Sequence, residues 1–263
     1  METQLKDLVT SERLDADDIA ARTRRIHDAV LRESEYLDRA NFTRIHTSDL
    51  RRLFHHYDND FFGRQIGALL GEAPLRFGVS RRATSAGGKT IRYTPRGPHG
   101  QPNYEISVST TLIFQCFAGE DHRPISVGGL VCCDRLESVQ RVMEHELVHL
   151  IELLLWSSSS CSRQRFQSIA NRFFGHTVHK HGLITPRERA LVTFGIKTGD
   201  RVRFRFNGSQ HTGIVNRITN RATVLVEDPG GRLFTNGKRY VTFYVPVDQL
   251  ESSVGTPATR TSD

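Results

Sequence analysis

Residues 134–156 read DRLESVQRVMEHELVHLIELLLW, and this stretch decides how the middle of the chain is expected to fold. Asp134 with a glutamate three residues later is a capping-box pattern, which marks the start of a helix. From there to Trp156 the sequence has no Gly or Pro. Its apolar positions keep helical spacing and are Val139, Val142, Met143, Leu147, Leu150, Ile151 and Leu154. We therefore expect one long helix that is buried by its own domain.

The centre of this stretch is the sequence HELVH at residues 145–149, which is the H-E-x-x-H pattern of zinc-dependent hydrolases. On a helix, His145 and His149 lie one turn apart and project from the same face. Two imidazoles so placed can bind one Zn²⁺, and Glu146 beside the ion can take a proton from zinc-bound water. The alternative is a surface pair of histidines on an amphipathic helix. A metal is favoured because burial of these histidines with Glu144 and Glu146 is costly without a partner.

The composition of the chain bounds its partners and its compartment. The chain has 263 residues, a net charge of +7 and a pI near 9.5, which favours an anionic partner, most simply DNA or RNA. Basic proteins that bind no nucleic acid are the alternative. The cysteines at 116, 132, 133 and 161 form no CxxC pair, which argues against a zinc ribbon or a disulfide framework. With no apolar signal segment and no membrane-spanning run, we expect a cytoplasmic protein without a membrane partner.

The pattern of helix and strand signals predicts an α+β chain in four regions. We expect a helical segment at 1–45, a domain at 46–186 that carries HELVH, a small basic β-module at 190–251, and a disordered tail at 252–263. In the second region, helices are predicted at Thr47–Tyr57, Phe61–Leu70 and Arg163–Phe174. Strands are predicted there at Leu75–Ser80, Lys89–Thr94, Tyr104–Val108 and Ile125–Val131.

Several short segments of the 46–186 region resemble, in order and spacing, the segments of a known protein family. They are Tyr57-Asp58, Phe61-Phe62, Gly87-Gly88, Val127-Gly128-Gly129-Leu130, HELVH itself, and Phe166 followed by Phe173-Phe174-Gly175-His176-Thr177. In order and spacing this set resembles the SprT-like family of zinc metalloproteases, which includes the Spartan DNA–protein-crosslink proteases. The resemblance implies a zincin-like domain with a small mixed sheet over helices. It also implies Zn²⁺ on His145 and His149, with Glu146 as the catalytic base.

The third zinc ligand is where the chain departs from that family. Members often use a histidine four residues before a phenylalanine, and the corresponding residue here is Ser162, which is a poor zinc ligand. Its neighbour Cys161 can supply a thiolate, which binds Zn²⁺ well, so we predict Cys161 as the third ligand. The alternative is that Cys161 is a small buried residue at the start of a helix.

Other candidates for the third ligand are less favourable. Cys133 lies twelve residues before His145, about 18 Å along a straight helix, and His176 lies beyond the next predicted helix. His179 and His181 can fold back towards the motif only over a loop whose path the sequence does not define. Glu152, one turn beyond HELVH, ranks below Cys161 because its side chain would have to reach back up the helix.

The 190–251 region is predicted to be a small SH3-like β-barrel, with short strands separated by tight turns such as Asn207-Gly208 and the Asp-Pro-Gly-Gly at 228–231. Residues 201–206 alternate strictly, which places Arg201, Arg203 and Arg205 on one face and Val202, Phe204 and Phe206 on the other. The predicted nucleic-acid-binding residues are Arg201, Arg203, Arg205, Arg217 and Arg221, with Tyr240 and Tyr244 as stacking platforms. The alternative is a solvated face on a packing domain.

The sequence therefore predicts a zinc-dependent endopeptidase that acts on proteins associated with nucleic acid. An extended peptide substrate can pair with an exposed strand edge, either at Tyr104–Val108 or at the strand that begins with Gly87-Gly88. The alternative function is a nucleic-acid-binding protein with a structural or degenerate zinc site and little peptidase activity, and the serine at position 162 motivates it. Hydrolysis of a substrate other than a peptide is a third alternative.

Overall fold

The computed structural model describes residues 2–94, 101–119 and 121–253. The chain has an α+β fold, as predicted, and divides into two compact units, Met1–Ile184 and Thr185–Asp263. None of the helices within the described ranges has both the length and the apolar character needed to cross a membrane.

The first unit contains seven helices in its described part. They are α1 (Glu2–Ser11), α2 (Ala16–Glu33), α3 (Thr47–Phe62), α4 (Gln65–Leu70), α5 (Thr110–Gln115), α6 (Arg135–Trp156) and α7 (Gln164–Phe174). Its strands are β1 (Leu75–Ser80), β2 (Gly88–Tyr93), β3 (Asn103–Ser109), β4 (Ser126–Val127), β5 (Leu130–Val131) and β6 (His181–Gly182). One sheet has the order β1-β3-β2, with β1 parallel and β2 antiparallel to β3, and the other has the order β5-β4-β6.

The predicted long helix is confirmed as α6, which lies in the core of the first unit. Asp134 is its N-cap and accepts a hydrogen bond from the Glu137 backbone N–H at 2.8 Å. The Glu137 carboxylate accepts from the backbone N–H of Cys133 at 2.7 Å instead of from the N-cap residue. The helix ends at Ser157, which has a left-handed conformation with φ of 55°. Residues 2–33 bury apolar side chains such as Leu5 and Ile26 in the same core as α6.

Strand pairing corrects two details of the predicted first unit. Tyr104–Val108 belongs to β3, which pairs with β1 on one side and β2 on the other, so it is not an edge strand. In the described part of the chain β2 pairs only with β3, and it is therefore an edge of that sheet. Ile125–Val131 is a β4–β5 hairpin rather than one strand, because Gly128 and Gly129 both adopt positive φ and reverse the chain.

The second unit is built on one antiparallel sheet. Its elements are α8 (Pro186–Phe194), β7 (Arg201–Phe206), β8 (Ser209–Ile218), β9 (Ala222–Leu233), β10 (Arg239–Val245) and β11 (Glu251–Ser252). The strand order is β10-β9-β8-β7-β11. Within the described residues no pairing joins β10 to β11, so the predicted closed barrel is not found. The chain turns away after β10 through a short 3₁₀ segment, and β11 contributes only two residues to the sheet.

Two further predictions for this unit are wrong in detail. The Asp-Pro-Gly-Gly at 228–231 lies within β9, and the chain reverses later, where Gly237 N–H donates to the Phe234 carbonyl at 3.0 Å. Residues 228–232 form a bulge in β9, because the pairing with β10 shifts from Glu227–Tyr240 to Leu233–Arg239, and a Cβ on Gly231 would clash with the Tyr240 backbone. Ser252, at the start of the predicted tail, pairs with Val202 in β7. The rest of the predicted disordered tail, from residue 254, lies outside the described residues.

Candidate metal centre

The two motif histidines lie side by side on α6, as their spacing predicts. The rings of His145 and His149 have centroids 4.9 Å apart, and the Phe166 ring of α7 packs against both, at 4.7 and 4.5 Å. Both histidines line a cleft of about 570 Å³. Because α7 supplies the apolar wall behind the rings, their positions are set by the packing of α6 on α7.

Cys161 joins these histidines from the turn that precedes α7. The potential ligand atoms of His145, His149 and Cys161 all lie within 4.8 Å of one another. Donor atoms grouped within this limit could hold one metal ion, and Zn²⁺ would bind them with bonds of about 2.0–2.3 Å. Ser162, the neighbour of Cys161, is exposed, and its hydroxyl lies 3.0 Å from that of Ser160. The structure therefore brings together the three residues that the sequence predicts as ligands.

His181 forms a second group with the same motif. A ligand atom of His181 lies within 4.8 Å of atoms of both His145 and Glu146, and the two imidazole rings are 4.4 Å apart. Its Nε2 is buried and has no hydrogen-bond partner among the described residues. The sequence did not define whether His181 reaches the motif, because its position depends on β6, a two-residue strand in which His181 pairs with Val127. His179 also lines the cleft, but it belongs to neither group.

A buried polar network holds the segment that carries His181 against α6. The His176 Nε2 lies 2.8 Å from a carboxylate oxygen of Glu144, and the Tyr57 hydroxyl donates to the other oxygen at 2.7 Å. Arg141 also donates to this carboxylate, at 3.0 Å. Gly128 packs so closely on the His176 ring that a Cβ would lie 2.6 Å from it. Glu144 is thus satisfied by protein groups and does not line the cleft, so its burial does not require a metal.

Glu146 is held in place by β2. The Thr90 hydroxyl contacts the Glu146 carboxylate at 2.7 Å, and Gly88 lies directly against the same side chain. Burial raises the pKa of Glu146 to about 8, and the hydrogen bond from Thr90 opposes this shift. A cation bound beside the carboxylate would favour its ionised form, which is the form that a general base needs.

The imidazoles of His145, His149 and His181 are neutral near pH 7. Burial, which is the largest cause, and repulsion from the neighbouring histidines, His181 first, together lower the pKa of His145 to about 2. Burial likewise lowers the pKa of His149 and of His181 to about 4. Neutral imidazole is the form that binds a metal, so these three side chains need not lose a proton before they act as ligands.

Glu152, the alternative ligand on α6, is not among the residues that line the cleft. It is fully buried and accepts hydrogen bonds from the Ser159 hydroxyl at 2.6 Å and from the Arg165 Nε at 2.6 Å. Its oxygens are therefore occupied by protein donors. The remaining donors are the imidazoles of His145 and His149, the thiol of Cys161, and the imidazole of His181, whose buried Nε2 has no partner among the described residues. Nitrogen and sulfur donors of this kind suit Zn²⁺.

The predicted nucleic-acid residues lie on exposed parts of the second unit. Arg201, Arg203 and Arg205 are exposed on β7 and alternate with buried Val202 and Phe204. Phe206, predicted to be in the core, is 45% exposed because the strand ends there at the hairpin.

The remaining residues of this predicted surface differ in exposure. Arg217 and Arg221 are exposed, and none of the five arginines forms an ion pair with a described residue. Tyr244 is 64% exposed and pairs in register with Thr223, which in turn pairs with Arg217. Tyr240 is only 6% exposed, so it does not form the predicted stacking platform.

Comparison with protein-family models, with curated proteins and with solved structures finds no match to this chain. A functional proposal therefore depends on the geometry of the chain's own residues.

Proposed function

We propose that this chain is a zinc-dependent endopeptidase of the zincin-like, SprT-like type that acts on proteins associated with nucleic acid. The observation that carries the proposal is the arrangement of HELVH. Its two histidines and its glutamate line one cleft together with Cys161 and with the edge strand β2. No disulfide joins the four cysteines, all of which are among the described residues, and this is consistent with the cytoplasmic location that we also propose.

His145, His149 and Cys161 would hold the ion. Zn²⁺ bound there supplies a Lewis acid and a more acidic water. Glu146 takes the proton of the attacking water and transfers it to the leaving amine. Thr90 keeps the Glu146 carboxylate in one orientation throughout, because its hydroxyl contacts that side chain at 2.7 Å.

The edge strand β2 is the surface on which an extended peptide would align. Gly88, Lys89 and Thr90 line the cleft, and the outer edge of β2 has no strand partner in the described part of the chain. A peptide that adds as a further strand would form backbone hydrogen bonds that do not depend on its sequence. This arrangement favours an endopeptidase that accepts many sequences over an enzyme for one small molecule.

Zinc dependence tests the proposal. We expect purified protein to contain about one zinc per chain and to cleave quenched fluorescent casein, an unfolded probe that suits an edge-strand site. Chelation should abolish cleavage and added Zn²⁺ should restore it, while His149→Ala should lose the metal. A protein without zinc, or with cleavage that survives full metal removal, would rule out the proposed function.

Zinc affinity identifies the third ligand. Cys161→Ala should weaken binding strongly in a chelator competition, whereas Cys133→Ala should not, since Cys133 is an exposed residue near the start of α6. If Cys161→Ala binds zinc normally and His181→Ala does not, the third ligand is His181.

The second candidate function is nucleic-acid binding with a metal site that is structural. The arginines of β7 favour it, because they are exposed and form no ion pair with a described residue. Replacing Arg201, Arg203 and Arg205 by Ser should weaken binding to DNA or RNA. It should also reduce the salt dependence by about 0.7–0.9 in slope for each lost phosphate contact. If the wild-type protein binds neither nucleic acid at low salt, this surface has another role.

A further inference from the structure

The serine run after α6 brings a hydroxyl behind the second motif histidine. Ser157 ends the helix with a positive φ, and the chain then folds back along the last turn. The Ser159 Oγ consequently lies 2.7 Å from the Nδ1 of His149 and 2.6 Å from a carboxylate oxygen of Glu152. One hydroxyl therefore connects an imidazole of the cleft to a buried carboxylate.

The direction of each hydrogen bond in this chain follows from counting protons. Glu152 accepts from Arg165 at 2.6 Å and from the Ser160 backbone N–H at 3.3 Å, which are the surroundings of an ionised carboxylate. An ionised carboxylate only accepts, so the single proton of the Ser159 hydroxyl must point to Glu152. The hydroxyl oxygen can then only accept from His149. The proton of the neutral imidazole is therefore on Nδ1, and Nε2 carries the lone pair.

We propose that Ser159 and Glu152 are positioning residues that fix His149 as its Nδ1–H tautomer and so present Nε2 to the metal. The proposal rests on the proposed function for the identity of the ion, but the tautomer follows from the hydrogen bonds alone. Hydrogen bonds behind metal-binding histidines commonly change metal affinity by about 10–100-fold when they are removed. We expect an effect of that size from loss of the Ser159 hydroxyl.

Other contacts support this positioning role of the hydrogen-bonded chain from His149 through Ser159 to Glu152, which we call the relay. Arg165 is fixed between Glu152 and the Trp156 ring, with its guanidinium carbon 4.3 Å from the ring centroid, so the carboxylate has a rigid partner. His145, by contrast, has a buried Nδ1 with no hydrogen-bond partner among the described residues. Of the two motif histidines, His149 is thus the one that the fold orients through a charged group.

The serine run supplies a matched control. Ser158 is exposed and its hydroxyl touches neither His149 nor Glu152, so Ser158→Ala should leave the relay intact. Ser159→Ala removes the bridge, and Ser159→Thr retains the hydroxyl. Nitrogen-15 NMR of the imidazoles in zinc-free protein near pH 7 reports the His149 tautomer, and chelator competition reports zinc affinity.

We expect Nδ1–H at His149 in the wild type, in Ser158→Ala and in Ser159→Thr. Ser159→Ala should lose this preference and bind zinc about 10–100-fold more weakly, with its folded spectrum unchanged elsewhere. Nε2–H at His149 in the wild type would overturn the proposal, as would unchanged tautomer and affinity in Ser159→Ala. If the predicted tautomer change occurs but no variant binds zinc, the relay stands and the proposed function fails.

Discussion

Gly88→Ala is expected to disturb the proposed general base while leaving the zinc ligands untouched. A Cβ on Gly88 would lie 2.6 Å from the Glu146 Oε1, 2.7 Å from its Cγ and 2.8 Å from a methyl carbon of Val142. Ordinary contact begins near 3.4 Å, so β2 and the Glu146 side chain must separate by about 0.8 Å. The three atoms nearest to the new methyl group belong to Glu146 and Val142, not to His145 or His149.

The size of the effect follows from that displacement. A misplacement near 1 Å in a catalytic group can cost about 10²-fold, so we expect kcat/KM to fall by about 10–100-fold. Overpacking should also destabilise the protein by about 1–3 kcal/mol. That range corresponds to a decrease in Tm of about 2–12 °C for a unit of this size. Zinc content should stay at the wild-type value.

The assay is cleavage of quenched fluorescent casein at a temperature where both proteins are folded, alongside zinc analysis and thermal unfolding. Gly119→Ala is the matched control, because a Cβ there would meet no heavy atom within 4 Å and its φ is not in the left-handed region. If Gly88→Ala is folded, holds zinc and cleaves as fast as the wild type, the close fit between β2 and Glu146 has no part in catalysis.

Two predictions concern the support of α6. Arg135 is buried and donates to four backbone carbonyls. Arg135→Met should therefore lower the free energy of unfolding, measured by urea denaturation, by about 3 kcal/mol or more. A loss below about 1 kcal/mol would contradict this role. A hydrogen bond to Asp134, opposed by burial, raises the pKa of His27. The stabilisation that His27 gives is therefore complete below its ordinary pKa of 6.5 and is lost as pH rises through the raised value. We expect His27→Ala to cost more stability near about pH 6 than near about pH 9 in zinc-free protein, and equal costs would refute the coupling.

Local patterns were enough to predict the helix that carries the motif. The cap at Asp134 and the apolar period of α6 act over one element, and the structure agrees with both. The same is true of β7, whose alternation correctly predicts that Arg203 is exposed and Phe204 is buried. The boundaries of β1 also match those predicted.

Features set by distant pairing were beyond a local reading. β2 lies between β1 and β3 in the sequence but at the edge of the sheet, because β1 pairs in parallel with β3. His181 is held at the cleft by the pairing of β6 with β4, which involves only two residues of each strand. A strand this short has no alternation of polar and apolar residues that the sequence could show. The role of Glu152 depends on a reversal in the serine run, where Ser157 adopts a conformation that few residues other than Gly favour.

The most direct measurement of the central claim compares wild type with Glu146→Gln. The substitution keeps the shape of the side chain but removes the group that accepts a proton, and it leaves His145, His149 and Cys161 in place. We predict that Glu146→Gln retains about one zinc per chain and loses casein cleavage by about 10²-fold or more. A Glu146→Gln protein that holds zinc and cleaves at the wild-type rate would contradict the claim that this cleft is a zinc peptidase site.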